Sequence, residues 1–245
     1  MASQEHAGKI ALVTGANKGI GLEIARQLGK RGVRVLVGAR DAGRGKAAAD
    51  ALKAEGIDAR FVELDVTNQA TIDAAAKLVE KEFGKLDILV NNAGIAIERD
   101  PPSTVPLDAV RKTYDTNVFG VIALTQAMLP LIKKSAAGRI VNLSSGLGSL
   151  AQHSGPNSPF ANFLFLAYNS SKTALNAVTV QFANELRNTP IKVNAADPGY
   201  VATDLNNHSG PRTVEQGATA PVRLALLDAD GPTGGYFNED GVVPW

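Results

Sequence analysis

Cysteine is missing from this 245-residue chain, so disulfides, thiolate metal ligands and a cysteine nucleophile are excluded together. Histidine is scarce as well. His6, His153 and His208 stand far apart, with no metal-ligand spacing and no acidic cluster beside them. Neither sign of charge dominates: 25 Lys and Arg against 24 Asp and Glu leave a formal +1. That removes the basic field of a nucleic-acid binder and provides no acidic tail. No stretch reaches the ~18 to 20 uninterrupted apolar residues of a membrane span. The opening MASQEHAGK is polar and lacks the apolar segment of a signal peptide. These absences predict a cytoplasmic protein with neither nucleic acid nor membrane as a partner.

What remains is enough hydrophobic sequence, 44% of residues, for a large core. Short β-rich runs alternate with longer helical patterns: KIALV (9–13), VRVLVG (33–38), ARFVEL (59–64), LDILV (86–90), GRIVNLS (138–144), IKVNAA (191–196) and GGYFN (234–238). Between them the apolar periodicity predicts helices near 20–28, 41–55, 68–83, 113–134, 168–188 and 213–227. Seven strands separated by helices, without consecutive hairpins, imply an α/β fold with a parallel, doubly wound sheet. The segment 145–162, rich in Gly, Ser, Pro and Asn, follows a strand directly and so belongs to the carboxyl edge, where such sheets bind ligands.

The first turn, TGANKGIG (14–21), follows a strand and opens a helix. Gly15 permits the tight turn, Gly19 lets backbone N–H groups approach a pyrophosphate, and Gly21 allows helix to pack on strand. Asn17, Lys18 and Ile20 belong to the same cradle. The Gly-x3-Gly-x-Gly spacing resembles the short-chain dehydrogenase/reductase family. The resemblance continues through LDVT (64–67), NNAG (91–94), Asn117, NLSS (142–145), YNSSK (168–172) and DPGYVATDL (197–205), in family order across nearly the whole chain. The glycine turn, ARDAGRG (39–45) and a lengthened segment before the Tyr motif look most like the carbonyl-reductase branch. The resemblance implies one Rossmann-type domain over 1–245, with a cofactor half at about 8–140 and a catalytic and substrate half at about 141–245.

The end of the second strand chooses the cofactor. NAD enzymes usually place an acid there for the ribose 2′-OH; this chain has Ala39 and then Arg40. Arg40 with Lys18 would suit a 2′-phosphate, and the family adds Arg44. NADP(H) is therefore expected. Asp41 keeps NAD(H) open, because a register shift would make it the ribose acid; its other reading is the N-cap of the following helix. By resemblance Asp65 and the Val66 backbone hold the adenine, unless Asp65 is itself a helix N-cap. Asn92, Ala93 and Gly94 would pack on the ribose. Pro198, Gly199, Val201 and Thr203 would form the nicotinamide wall.

Tyr168 and Lys172 lie four residues apart at the start of a helical pattern, on one face. Bringing a phenol from ~10 toward neutrality takes about 4 kcal/mol. One ammonium at ~4 Å supplies about that at an effective dielectric of 20. Tyr168 is thus the expected general acid/base, activated by Lys172, which by resemblance also holds the nicotinamide ribose. Ser145 would orient the substrate oxygen, with Ser144 as its competitor. Asn117 matches the family asparagine that supports a water beside the lysine. The expected activity is hydride transfer between NADPH and a carbonyl or alcohol. The rivals are a silent NADPH-binding regulator and an epimerase or dehydratase of the same fold. His153 and His208 are open as substrate contacts. Phe160, Phe163, Phe165 and Leu166 have three readings: substrate wall, dimer face or core. Monomer and homo-oligomer are both open.

Overall fold

Strand and helix alternate through a computed structural model that describes residues 5–155 and 157–245. The first four residues of the polar N-terminal stretch, and Pro156 within the irregular segment, lie outside the described residues. The first half contains β1 (Ile10–Thr14), α1 (Gly19–Lys30), β2 (Arg34–Ala39), α2 (Ala42–Ala54), β3 (Ala59–Glu63), α3 (Gln69–Phe83) and β4 (Ile88–Asn91). Next come α4 (Leu107–Tyr114), a π-helical turn at Asp115–Phe119, α5 (Gly120–Ile132) and β5 (Arg139–Leu143). The remainder is α6 (Leu150–His153), α7 (Leu166–Glu185), β6 (Lys192–Ala196), α8 (Val214–Ala225) and β7 (Tyr236–Phe237).

All seven strands pair in parallel, in the order β3-β2-β1-β4-β5-β6-β7. The sheet is the doubly wound, Rossmann-type sheet that the alternating pattern predicts. Strand alternation divides the core into two layers. Ala11 and Val13 of β1 point to one face, with Ile24, Leu28 and Val222; Leu12 points to the other, with Leu36, Leu124 and Met128. Both faces are covered, which is why β1, β4 and β5 are buried throughout, β5 even at Arg139 and Asn142. The strand order reverses between β1 and β4, so the turns after these strands part and leave a crevice at the carboxyl edge.

Three elements differ from the sequence reading. The helix expected at 113–134 starts at Leu107 and runs as α4, the π-helical turn and α5. At 26 residues it is long and apolar enough to cross a membrane by composition, yet Leu124, Met128 and Ile132 are packed in the core. Order also exists where only loop was expected. Ser145 accepts from Leu147 N and Ser149 from Gln152 N, and these two hydroxyls start the short helical turns at Gly146–Gly148 and α6. Finally, α7 begins at Leu166, two residues before the predicted start.

Candidate functional site

The crevice begins at the glycine turn. Gly15 and Gly19 have φ of +62° and +57°, where an L side chain is strained. At Gly21 a Cβ would fall 2.4 Å from Asn92 Nδ2 and 2.7 Å from the Gly15 carbonyl oxygen. Asn92 knits the two central turns together: its Nδ2 donates to the Thr14 carbonyl at 2.7 Å, and the Asn92 and Ala93 amides both donate to Thr14 Oγ1 at 2.9 Å. The N-terminus of α1 has no side-chain cap and no acid in its first turn. It opens just beyond the carboxyl end of β1, where a helix N-terminus can hold an anion.

Beyond β2, Asp41 is the N-cap of α2, accepting from Arg44 N at 2.8 Å. That bond and the Arg44 guanidinium, 3.2 Å away, hold its carboxyl below the usual range. Arg40 is exposed beside it. Lys18 is turned to Asp204 at 2.5 Å, and Asp204 also meets His208 at 2.8 Å. The Lys18–Asp204 and Arg44–Asp41 pairs are solvent-exposed and therefore weak, so a phosphate can draw Lys18 and Arg44 away. Asp65 is not a helix cap: Asn68 caps α3, while Asp65 Oδ1 accepts from the amide and hydroxyl of Thr67 in a tight turn. Val66, next to it, is buried against Gly120, where a Cβ would come within 2.7 Å of the Val66 carbonyl oxygen.

Across the crevice, α7 presents Tyr168 and Lys172. Lys172 is 4% exposed, with Nζ 5.6 Å from the Tyr168 ring centroid and donating to the Leu143 carbonyl at 2.8 Å. Burial pushes its pKa down to about 8. Burial likewise pushes the Tyr168 phenol up, to about 12, with the Asp197 charge adding to the rise and a hydrogen bond with Ser145 opposing it. In this structure burial outweighs the pull toward neutrality expected from one ammonium. Desolvation of the phenol dominates, and the Lys172 ammonium donates to the Leu143 carbonyl rather than to the tyrosine.

The two serines differ in their surroundings. Ser144 Oγ is buried and donates to Asn176 Oδ1 at 2.6 Å, whereas Ser145 shares its hydroxyl with Tyr168. Asn117 sits in the π-helical turn, a feature often found at functional sites. Its side chain is fully used: Oδ1 accepts from Ile95 N, and Nδ2 donates to the Ile95 carbonyl and Ser171 Oγ. Gly94 closes this corner, since a Cβ there would lie 3.4 Å from Asn117 Oδ1 and 3.5 Å from Lys172 Nζ. On the opposite side, Thr203 overhangs Gly19 and Val201 is buried on Gly217, while Pro198 is half-buried and Gly199, at φ +74°, lies against Arg212.

The profile of short chain dehydrogenases matches residues 9–213. The chain belongs to that family. It is 36% identical to carbonyl reductase [NADPH] 1 of Sus scrofa, covering 97% of this chain and 94% of the relative. It is also 36% identical to short-chain dehydrogenase/reductase 1 of Saponaria officinalis, covering 97% and 96%. Among solved structures, NADPH-bound carbonyl reductase from chicken fatty liver superposes with a TM-score of 0.85 at 30% identity, covering 98% of this chain and 99% of that one.

In this short-chain dehydrogenase the core reading is excluded for Phe163, Phe165 and Leu166, which are 39–41% exposed, whereas Phe160 is half-buried. Phe160 stacks on His153 at 5.3 Å and meets Phe163 edge-on at 6.1 Å. His208 is tied to Asp204, and His6 to Lys9. Two groups escaped the sequence reading. Asp197 accepts from the Gly199 and Gly146 amides, joining the tips of the loops after β5 and β6, and burial raises its pKa. Its signal was an acid directly before Pro-Gly at the end of a strand. Glu98 carried no local signal.

Proposed function

We propose that the chain is an NADPH-dependent carbonyl reductase in which Tyr168 is the general acid/base. The observation that carries this reading is convergence: Tyr168, Ser145, Lys172, Asn117 and Gly94, from four separate stretches of chain, meet at the carboxyl edge beside an uncapped helix N-terminus. The residues fit a dinucleotide. Gly15, Asn17, Lys18, Gly19, Ile20 and Gly21 would hold its pyrophosphate end, and Arg40, Lys18 and Arg44 its 2′-phosphate. Asp65 and Val66 would hold the adenine, while Asn92, Ala93, Gly94, Tyr168 and Lys172 would meet the nicotinamide ribose. Pro198, Gly199, Val201 and Thr203 would meet the nicotinamide carboxamide. With Asp41 committed to its cap and to Arg44, the cations outnumber any acid available to a ribose hydroxyl, which supports NADPH over NADH.

When bound, the cofactor supplies the hydride. The protein's task is the proton. Tyr168 donates it to the carbonyl oxygen, and Ser145 holds that oxygen in line. Lys172 places its charge near the phenol, and Asn117 fixes the Ile95 backbone beside it. The test is NADPH oxidation with a panel of aldehydes, ketones and quinones, run on the wild type and on Tyr168→Phe. Turnover by the wild type and none by the variant, with NADPH still bound, supports the reading. Wild-type-like turnover by Tyr168→Phe overturns the role of the tyrosine. Silence of the wild type on every compound, with NADPH bound, favours a binding-only regulator.

A further inference from the structure

The catalytic helix has an unusual start. Phe165 occupies the N-cap position of α7 and provides no side-chain hydrogen bond, and the first turn contains no acid. Its free N–H groups would be left without partners inside the protein, which is costly for buried donors. The partner arrives from 70 residues away. Glu98 Oε2 accepts from Ala167 N at 2.6 Å and Oε1 from Tyr168 N at 2.7 Å. Glu98 is 2% exposed, in the loop that follows the Asn92–Gly94 turn. A carboxylate at a helix N-terminus with two charge-assisted bonds is stabilised both by the bonds and by the helix dipole.

We infer that Glu98 is a positioning residue for Tyr168: a remote cap that fixes the first turn of the catalytic helix relative to the cofactor turn. The loop that carries it is itself tied down. Ile95 is clamped through both backbone groups by Asn117, and the Arg99 guanidinium donates to the Glu98 carbonyl at 2.7 Å. The short stretch from Gly94 to Glu98 is thus held at Ile95 by Asn117 and at Glu98 by the amides of Ala167 and Tyr168. One of the two bonds is made by the amide of Tyr168 itself, so loss of the cap shifts the proton donor before it loosens the rest of the helix. The inference rests on the role proposed for Tyr168.

The test compares Glu98→Gln, Glu98→Asp and Glu98→Ala with the wild type. The glutamine keeps the size but turns an N–H donor against one of the two amides. Expected is a fall in kcat of between about ten- and a hundredfold, the scale of a small misplacement at a reacting group, with the NADPH Kd unchanged and the solvent deuterium isotope effect raised. Glu98→Asp should recover part of the loss. A smaller folded fraction alone would scale kcat and leave the isotope effect where it was. An independent reading needs no cofactor: the Ala167 and Tyr168 amides, followed by NMR, should exchange faster in Glu98→Gln while the amides of β1 do not. Wild-type kcat per active site together with wild-type exchange at these two amides overturns the inference. If Glu98→Ala does not fold, Glu98→Gln and the exchange rates still decide. Activity surviving in Tyr168→Phe sinks the proton-donor role; a dead Tyr168→Phe beside unaffected Glu98 variants sinks the cap alone.

Discussion

The two sides of the crevice are built by different means. On the β1–β4 side the working surface is backbone: glycines at positive φ, an uncapped helix end, and Asn92 holding one turn against the next. On the β5–β6 side it is side chain. Tyr168, Lys172, Ser145 and Asp197 stand there, along with exposed Phe163, Leu164 and Phe165 and a loop in which Asn207 and His208 take φ of 53° and 58°. A pyrophosphate is the same in every reaction and can be recognised by fixed N–H groups. A substrate carbonyl has to be met by groups that can be exchanged one at a time. One side is therefore suited to a group common to many reactions, the other to a particular substrate.

Substitutions can separate these two roles. The largest expected effect is on the side-chain half, where Tyr168→Phe should lower kcat by about 10² to 10⁴, the usual contribution of a general acid, with NADPH affinity preserved in a fluorescence titration. Loss of NADPH binding in that variant would break the division. Arg40→Ala should act on the other side alone. It should weaken NADPH by about 1.5 to 3 kcal/mol, the value of a hydrogen bond to a charged group, and leave NADH unaffected; equal loss of both cofactors would refute its 2′-phosphate role.

A third test concerns stability. Lys172 has a folded pKa of about 8 against 10.5 for the free group, so below pH 8 the folded state carries the full cost of charging a buried amine. That cost is relieved as pH rises, because the unfolded chain binds the extra proton. Between pH 8 and 10 the wild type should gain about 2 kcal/mol relative to Lys172→Met, measured by urea unfolding. A pH-independent difference would show that the amine is not desolvated. The smallest effect belongs to the exposed rim. Phe165→Ala should raise KM for bulky apolar carbonyls by about tenfold or less, given its partial exposure, and should not change kcat or NADPH affinity.

The backbone half was the more legible of the two. β1, β2 and β4 are continuous apolar runs because both faces are covered, and the glycine turn shows its spacing in eight consecutive residues. Asp41 stands one residue before its helix, so its cap could be read locally. Glu98 could not be read in the same way, since its partners lie 69 and 70 residues away and nothing nearby marks it as buried. The π-helical turn was hidden for a related reason: its residues continue a helical pattern, and only packing around Asn117 widens the turn. The spacing put Tyr168 and Lys172 on one helix, but the titration of the phenol depends on desolvation, which that spacing does not encode.

Trp245 is the one tryptophan in the chain, stacked on Tyr236 with ring centroids 5.5 Å apart. Its carbonyl accepts from Ala151 N, and the carbonyl of neighbouring Pro244 accepts from Ser149 Oγ, so the indole is tied to the wall that follows Ser145. The protein thereby carries its own light source at the substrate side. Indole emission overlaps the absorption of reduced nicotinamide, so occupation of the crevice by the reduced cofactor can be read as energy transfer, and rearrangement of the wall as a change in the same signal, with no label attached.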